Sequence, residues 1–267
     1  MSVLQSMLFG LVEGLTEFVP ISSTAHMLLL QHLLAIPASE DMFSYLVIVQ
    51  LGAIAALLMY FRKDFRLLII SFFARPFSSP ANSQAWFVVL ATIPALLAGF
   101  LLKDVVETLF GDPLTEAATR FLTTAAVLGI AEWLGRQRRA LESMTWLDSI
   151  MIGLVQVLAV FPGASRSGAA ISGGMLRSLD RSAATRFAFL MSAPIMLAAG
   201  AYETLGVLQR GALGHLLPVL PWGLLVAGVS GWLSIRWLIG FVSHHRLYAF
   251  AGYCALLGVI CLVLRSQ

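Results

Sequence analysis

The chain has 267 residues, of which 59% are hydrophobic and only 12% are charged, against about 25% charged in an ordinary soluble domain. A water-soluble globule of this length needs more polar surface than this, so the solvent must be largely lipid. The net charge is only +3, an excess of arginine that does not read as a nucleic-acid-binding patch.

The first apolar run has no Lys or Arg ahead of it and is interrupted by Glu13 and Glu17. It does not read as a cleaved signal peptide. Within residues 1–36, Pro20 and a cluster of Ser22, Ser23, Thr24 and His26 break the apolar pattern. Charge-poor runs follow at about 43–61 and 84–102, with a short apolar stretch at 67–74 that reads as an interfacial turn. A weaker run at 117–135 carries Arg120 and Glu132 near its ends. Residues 147–178 are broken like the first segment, at Pro162 and Gly163, and runs at 187–202, 216–235 and 247–264 complete the chain. Cys254 and Cys261 lie on the last run. Two helical turns separate them by roughly 10 Å, beyond disulfide reach.

The six long runs suit helices crossing about 30 Å of hydrocarbon. Each arm of the two broken segments is too short to cross, and irregular backbone survives at membrane depth only when protein or a watery cavity covers it. Both are therefore predicted to be re-entrant helix–loop–helix pairs. The segments also match each other: Gly10-Leu11-Val12-Glu13 aligns with Gly153-Leu154-Val155-Gln156, Pro20 with Pro162, and Ser23 with Ser165. The expected fold is an all-α polytopic membrane protein, a single membrane domain over 1–267. Repeat one covers about 1–135 and repeat two about 147–267, with six crossings and about ten helices in total. Three crossings per repeat is odd, so the second repeat is inverted relative to the first.

Basic residues cluster at Arg62–Arg66, Arg136–Arg139, Arg177–Arg186 and Arg246. With both termini outside, all four clusters fall on the cytoplasmic side, as the positive-inside bias requires. Lys103, Arg210 and Arg265 are the scattered charges left on the other side.

Chemistry concentrates in the two broken segments. Glu13 and Glu17 are four apart on one helix face, about 6 Å from each other. Two carboxylates at membrane depth point to a watery site where they share a proton or bind a divalent cation. Arg166 lies in Pro162-Gly163-Ala164-Ser165-Arg166-Ser167-Gly168, a run that lets backbone N–H groups form an anion cradle ahead of a helix. The guanidinium adds a fork suited to phosphate oxygens. Ser23 and His26 are three apart, so on a helical turn the imidazole could serve the hydroxyl as general base, or attack phosphorus itself while Ser23 holds a phosphate oxygen. Ser22 and Thr24 either satisfy backbone carbonyls or join Gly163, Ser165, Ser167 and Gly168 in binding substrate.

The sequence Glu13-Gly-Leu-Thr-Glu17-Phe-Val-Pro-Ile-Ser-Ser23-Thr-Ala-His26, together with Pro162-Gly-Ala-Ser-Arg166-Ser-Gly168, resembles the two signature motifs of the undecaprenyl-diphosphate phosphatase family, the bacitracin-resistance proteins of bacteria. The likeness extends over nearly the whole chain, including the Phe187–Pro194 segment, with Ala25 standing where glycine is the more usual residue. It implies hydrolysis of the C55 isoprenyl diphosphate to its monophosphate, recycling the carrier lipid of cell-wall synthesis. It also implies a divalent cation (Mg or Ca) and a site in the bacterial inner membrane that faces the periplasm. The partners implied are the lipid diphosphate and the membrane, with homodimerisation left open. The competing expectation, a transporter or flippase of an isoprenyl phosphate, fits inverted repeats equally well but has no need of a nucleophile beside a phosphate loop.

Overall fold

The computed structural model describes residues 1–102, 112–161, 163–211 and 213–266. Lys103 and the expected break at Pro162 lie outside the described residues. Among the described residues twelve α-helices follow one another: α1 Val3–Thr16, α2 Ser23–Leu33, α3 Glu40–Tyr60, α4 Arg62–Phe72, α5 Pro80–Leu101, α6 Pro113–Leu134, α7 Trp146–Gln156, α8 Arg166–Leu176, α9 Arg181–Gln209, α10 Leu213–Leu216, α11 Leu220–Val242 and α12 Tyr248–Arg265. Five of them, α3, α5, α9, α11 and α12, are long and apolar enough to cross a membrane. The sixth expected crossing is α6, equally long but carrying Glu116, Arg120 and Glu132. Two helices exceed the expected ten. One is the four-residue α10; the other is α4, where a turn was expected over 67–74. Its first turn is charged and its last apolar, which suits a helix lying in the interface.

The starts of these helices are written in the sequence. Ser2, Ser39, Ser79, Asp112, Thr145, Ser165 and Asp180 each accept a hydrogen bond from a first-turn N–H at the N-terminus of α1, α3, α5, α6, α7, α8 and α9. Helix α1 stops at Thr16, four residues before Pro20, whose ring would collide with the carbonyl of Thr16 in a continued helix. The chain then turns through Ser22, held at φ 69°, and restarts as α2. In the second broken segment, α7 passes into a short 3₁₀ turn, Val157–Ala159, before Ser165 caps α8.

The short helices wear their polarity inside out. On α1, Leu4, Leu8, Leu11 and Leu15 are exposed while Ser6, Gly10, Glu13 and Gly14 are buried. On α7, Leu147, Met151 and Leu154 are exposed while Asp148, Ser149, Gly153 and Gln156 are buried. Such a pattern is stable only where the outer solvent is hydrocarbon. The buried small residues permit close approach. Helix α1 packs on α11, and α7 packs on α5. A Cβ at Gly10 would stand 2.3 Å from the Gly223 carbonyl oxygen, and one at Gly153 would stand 2.4 Å from that of Ala91. These two glycines are the pair aligned in the sequence repeat, and each presses a short helix of one half onto the second crossing of the other. Helices α3 and α9, the first crossings of the two halves, also pack together, as do the third crossings, α6 and α12. Phe18, just after α1, meets Phe189 of α9 edge-on at 5.5 Å, and Phe189 meets Phe61 at 6.0 Å. These rings hold the first broken segment against the α9 core.

All four basic clusters lie on one face. Arg186 pairs with Asp64, the Arg139 guanidinium donates to the Arg177 carbonyl, and Arg181 pairs with Glu132 beside Arg246. Arg139 and Arg177 also converge on Asp148, a fully buried carboxylate in the first turn of α7. Arg210, Glu203 and Glu40 form a network at the opposite end of α9, and Arg265 lies 3.7 Å from Asp112.

Candidate active site

The tips of the two broken segments meet inside the protein. Arg166, the first residue of α8, donates from Nη2 to Glu17 Oε1 at 2.8 Å and to Gln50 Oε1 of α3 at 3.0 Å. The other Glu17 oxygen, Oε2, accepts from Ser23 Oγ at 2.5 Å. One carboxylate thus links the cation of the second segment to the hydroxyl of the first, across 149 residues of sequence. Glu17 and Ser23 are both buried, while about a quarter of the Arg166 side chain remains accessible. Both Nη2 protons are spent on protein acceptors, so Nε and Nη1 are left to face a ligand.

The loop before α8 is knitted from its own hydroxyls. Ser165 N–H donates to Thr124 Oγ1 at 2.9 Å, Ser165 Oγ accepts from Gly168 N–H at 3.2 Å, and Ser167 Oγ donates to the Val19 carbonyl at 3.3 Å. Ser165 and Ser167 therefore shape the cradle in this structure, whose helical N–H groups at Arg166 and Ser167 keep no helical partner. Gly163 is demanded by space, since a Cβ there would sit 2.3 Å from the Leu158 carbonyl oxygen. Gly168 packs tightly, with Ser165 Cβ 3.2 Å from its would-be Cβ. Ser22 caps α2 through its hydroxyl, and Thr24 stands half-buried on the first turn with no side-chain hydrogen bond among the described residues.

The expected imidazole–hydroxyl pair does not form. His26 Nδ1 lies 2.8 Å from the Ser22 carbonyl, and Nε2 lies 2.9 Å from Tyr253 Oη on α12. A carbonyl can only accept, so Nδ1 carries the proton and Nε2 accepts from the Tyr253 hydroxyl. The ring is further held edge-on by Phe121 and stacked on Tyr253. Its one lone pair is thus taken, and Ser23 turns instead to Glu17. Helical i, i+3 spacing does not bring the two together, because Ser23 opens α2 and its hydroxyl points back across the turn toward α1. Gln50 and Tyr253 join the site without a motif to mark them; their one signal in the sequence is an isolated polar side chain within an otherwise apolar crossing.

Glu13 lies one turn before Glu17, buried, and its Oε1 has no hydrogen-bond partner among the described residues. A buried, unpaired carboxylate oxygen beside a second carboxylate fits a hard cation with oxygen ligands. No group of three or more His, Cys, Asp or Glu is placed to hold a metal ion among the described residues. Such an ion would need phosphate oxygens to complete its shell, the usual arrangement for Mg²⁺.

The sequence profile of the family described as bacitracin resistance protein BacA matches residues 6–260. The chain belongs to this family. Among its relatives, a protein of Frankia casuarinae named undecaprenyl-diphosphatase 3 is 38% identical, over 99% of this chain and 97% of its own length. The undecaprenyl-diphosphatase of Myxococcus xanthus is 38% identical over 99% of this chain and 89% of its own, and that of Mycolicibacterium gilvum is 35% identical over 100% and 98%. As a BacA-family chain, it carries both broken segments and the Glu17–Arg166 contact inside the matched region.

Proposed function

We infer that this protein hydrolyses undecaprenyl diphosphate to undecaprenyl phosphate and inorganic phosphate, the reaction that recycles the cell-wall carrier lipid and underlies bacitracin resistance. The observation that carries the chemistry is the Ser23 hydroxyl donating to Glu17, with Arg166 on the far oxygen of that carboxylate. Arg166 Nε and Nη1 and the first-turn N–H groups of α8 receive the terminal phosphate. Ser23 Oγ attacks its phosphorus and passes its proton to Glu17 Oε2. The bond from phosphorus to the bridging oxygen breaks, and its electron pair departs on undecaprenyl phosphate. Water then cleaves the phosphoserine, phosphate leaves, and Glu17 returns the proton to Ser23. Gln50 keeps the Arg166 fork aimed, and His26, fixed by Tyr253, braces the Ser22 turn.

Glu13 and Glu17 would hold a divalent cation, Mg or Ca, which when bound screens the negative charge of the diphosphate. The division into repeats of about 1–135 and 147–267 belongs to the same reading and is supported by the reciprocal packing of α1 on α11 and α7 on α5. So does placement in the bacterial inner membrane, with the basic face cytoplasmic and the site opening to the periplasm. Transport of an isoprenyl phosphate suits the interrupted helices but leaves the Ser23–Glu17 pair without a task.

Phosphate release from undecaprenyl diphosphate by purified protein tests the reading. Arg166→Ala should lower kcat by about 10³ or more, and Arg166→Lys should recover little because a point charge cannot reproduce the fork. Near-parental turnover in folded Arg166→Ala protein overturns it.

A further inference from the structure

A second site lies on the basic face, sharing no residue with the one above. A cleft of about 440 Å³ opens where the end of α6, the start of α9 and the start of α12 converge. Arg136, Arg181 and Arg246 line it, with Glu132 as the only acid. Glu132 is fully engaged: Arg181 takes both its oxygens, Oε2 also accepts from the Leu247 N–H at 3.1 Å, and Oε1 accepts from Gln137 at 3.4 Å. Three cations less one anion leaves +2 on the cleft. Arg136 and Arg246 are exposed and have no ion pair or side-chain hydrogen bond among the described residues. Two guanidinium groups lining one cleft without a protein partner leave their donor forks available to a phosphate.

A further feature fits an anion with a chain attached. Trp133 and Tyr248 flank the cleft at 77% and 43% exposure, and Ile130 and Leu134 continue as an exposed apolar strip along α6. Aromatic rings at a helix end mark the headgroup level, and the apolar strip below them faces acyl chains. We propose that this cleft binds the phosphate headgroup of an anionic lipid, with Arg136 and Arg246 as its ligands and Trp133 beside the first carbons of the chain. The site goes beyond the hydrolytic reaction and serves as a docking point on the membrane face opposite the one proposed for catalysis. Basic pockets between helices at this level are suited to such headgroups.

Native mass spectrometry of the detergent-purified full chain, with added phosphatidylglycerol, geranylgeranyl monophosphate or phosphatidylcholine, tests the site. The parent protein should retain phosphatidylglycerol or the isoprenyl monophosphate in preference to phosphatidylcholine. Whichever of the two anionic probes is held tighter identifies the source, bulk phospholipid or carrier lipid. Arg136→Gln with Arg246→Gln should weaken that retention about 30-fold, about 2 kcal/mol for two cations. Arg136→Lys with Arg246→Lys should keep most of it. Phosphate release in detergent free of anionic lipid should be unchanged in both double variants. Parental retention of the anionic lipids by the glutamine pair overturns the proposal. So does a parent protein that holds phosphatidylcholine as tightly, a result that needs no variant to fold.

Discussion

Replacing Glu17 with glutamine separates its role as proton acceptor from its shape. Glutamine has one oxygen where glutamate has two, and both glutamate oxygens are in use, Oε1 by Arg166 and Oε2 by Ser23. If the amide oxygen stays on Arg166, the NH₂ group faces Ser23 and cannot take its proton. Arg166 still has Gln50 at 3.0 Å, so the fold and the phosphate cradle should survive. Loss of a general base costs about 10²–10⁴ in rate, or roughly 3–5 kcal/mol at 1.36 kcal/mol per tenfold. The loss should appear in kcat with KM little changed, since the missing interaction belongs to the transition state. It should also persist at saturating divalent cation. Glu13→Gln removes the carboxylate whose Oε1 is unpaired, and its defect should shrink as cation concentration rises. The assay is phosphate release from undecaprenyl diphosphate across a Mg²⁺ or Ca²⁺ titration. A Glu17→Gln enzyme within tenfold of the parent, or one fully restored by cation, would refute the assignment of Glu17 as base.

Acid quench during turnover should trap a phosphoserine at Ser23, detected by peptide mapping; an adduct that is acid-labile and maps to His26 would transfer the attack to the imidazole. Burial works to raise the Asp148 carboxyl, but the hydrogen bonds from Arg139, Arg177 and Thr145 outweigh it and hold the group at about 2 against an ordinary 3.8. Its contribution to stability is complete above about pH 4 and fades as pH falls through 2. Asp148→Asn should therefore cost about 3 kcal/mol near neutrality, and thermal unfolding of variant and parent should converge toward pH 2. Single cysteines at Gln137 and Asp112, in a chain lacking Cys254 and Cys261, test orientation: an impermeant reagent applied to intact cells should label Asp112→Cys and spare Gln137→Cys.

Much of this architecture was legible because lipid punishes polar residues so heavily. Six apolar runs became six long helices, and the interruption at Pro20 became a break between two short ones. Glu13 and Glu17 stood out for the same reason, and so did Arg166. The pairing of Ser23 was not legible, since it depends on the turn from Thr16 to Ser22, where a left-handed φ at Ser22 redirects the chain. Helical spacing offered His26 as the neighbour, whereas Tyr253, 227 residues downstream, claims that ring. Helix α4 resembles a turn in the sequence because its charged start, Arg62-Lys63-Asp64, hides an amphipathic helix whose apolar residues cluster late.

The glycine contacts between the halves bear on how this protein is made. Ser6 of α1 donates to the Val219 carbonyl, 213 residues later in the chain, and Gly10 presses on Gly223 beside it. At about 5–20 residues per second, the partner surface of α1 leaves the ribosome roughly 10–40 s after α1 itself. For most of that interval Glu13 and Glu17 have neither α11 nor Arg166, itself 149 residues after Glu17, to cover them, and a carboxylate pair facing hydrocarbon is unfavourable. Helix α1 should therefore wait at the membrane surface and enter only when the C-terminal half arrives. Ribosomal stalling anywhere before α11 would leave a nascent chain with these two acids stranded in water, open to proteases that the finished protein excludes.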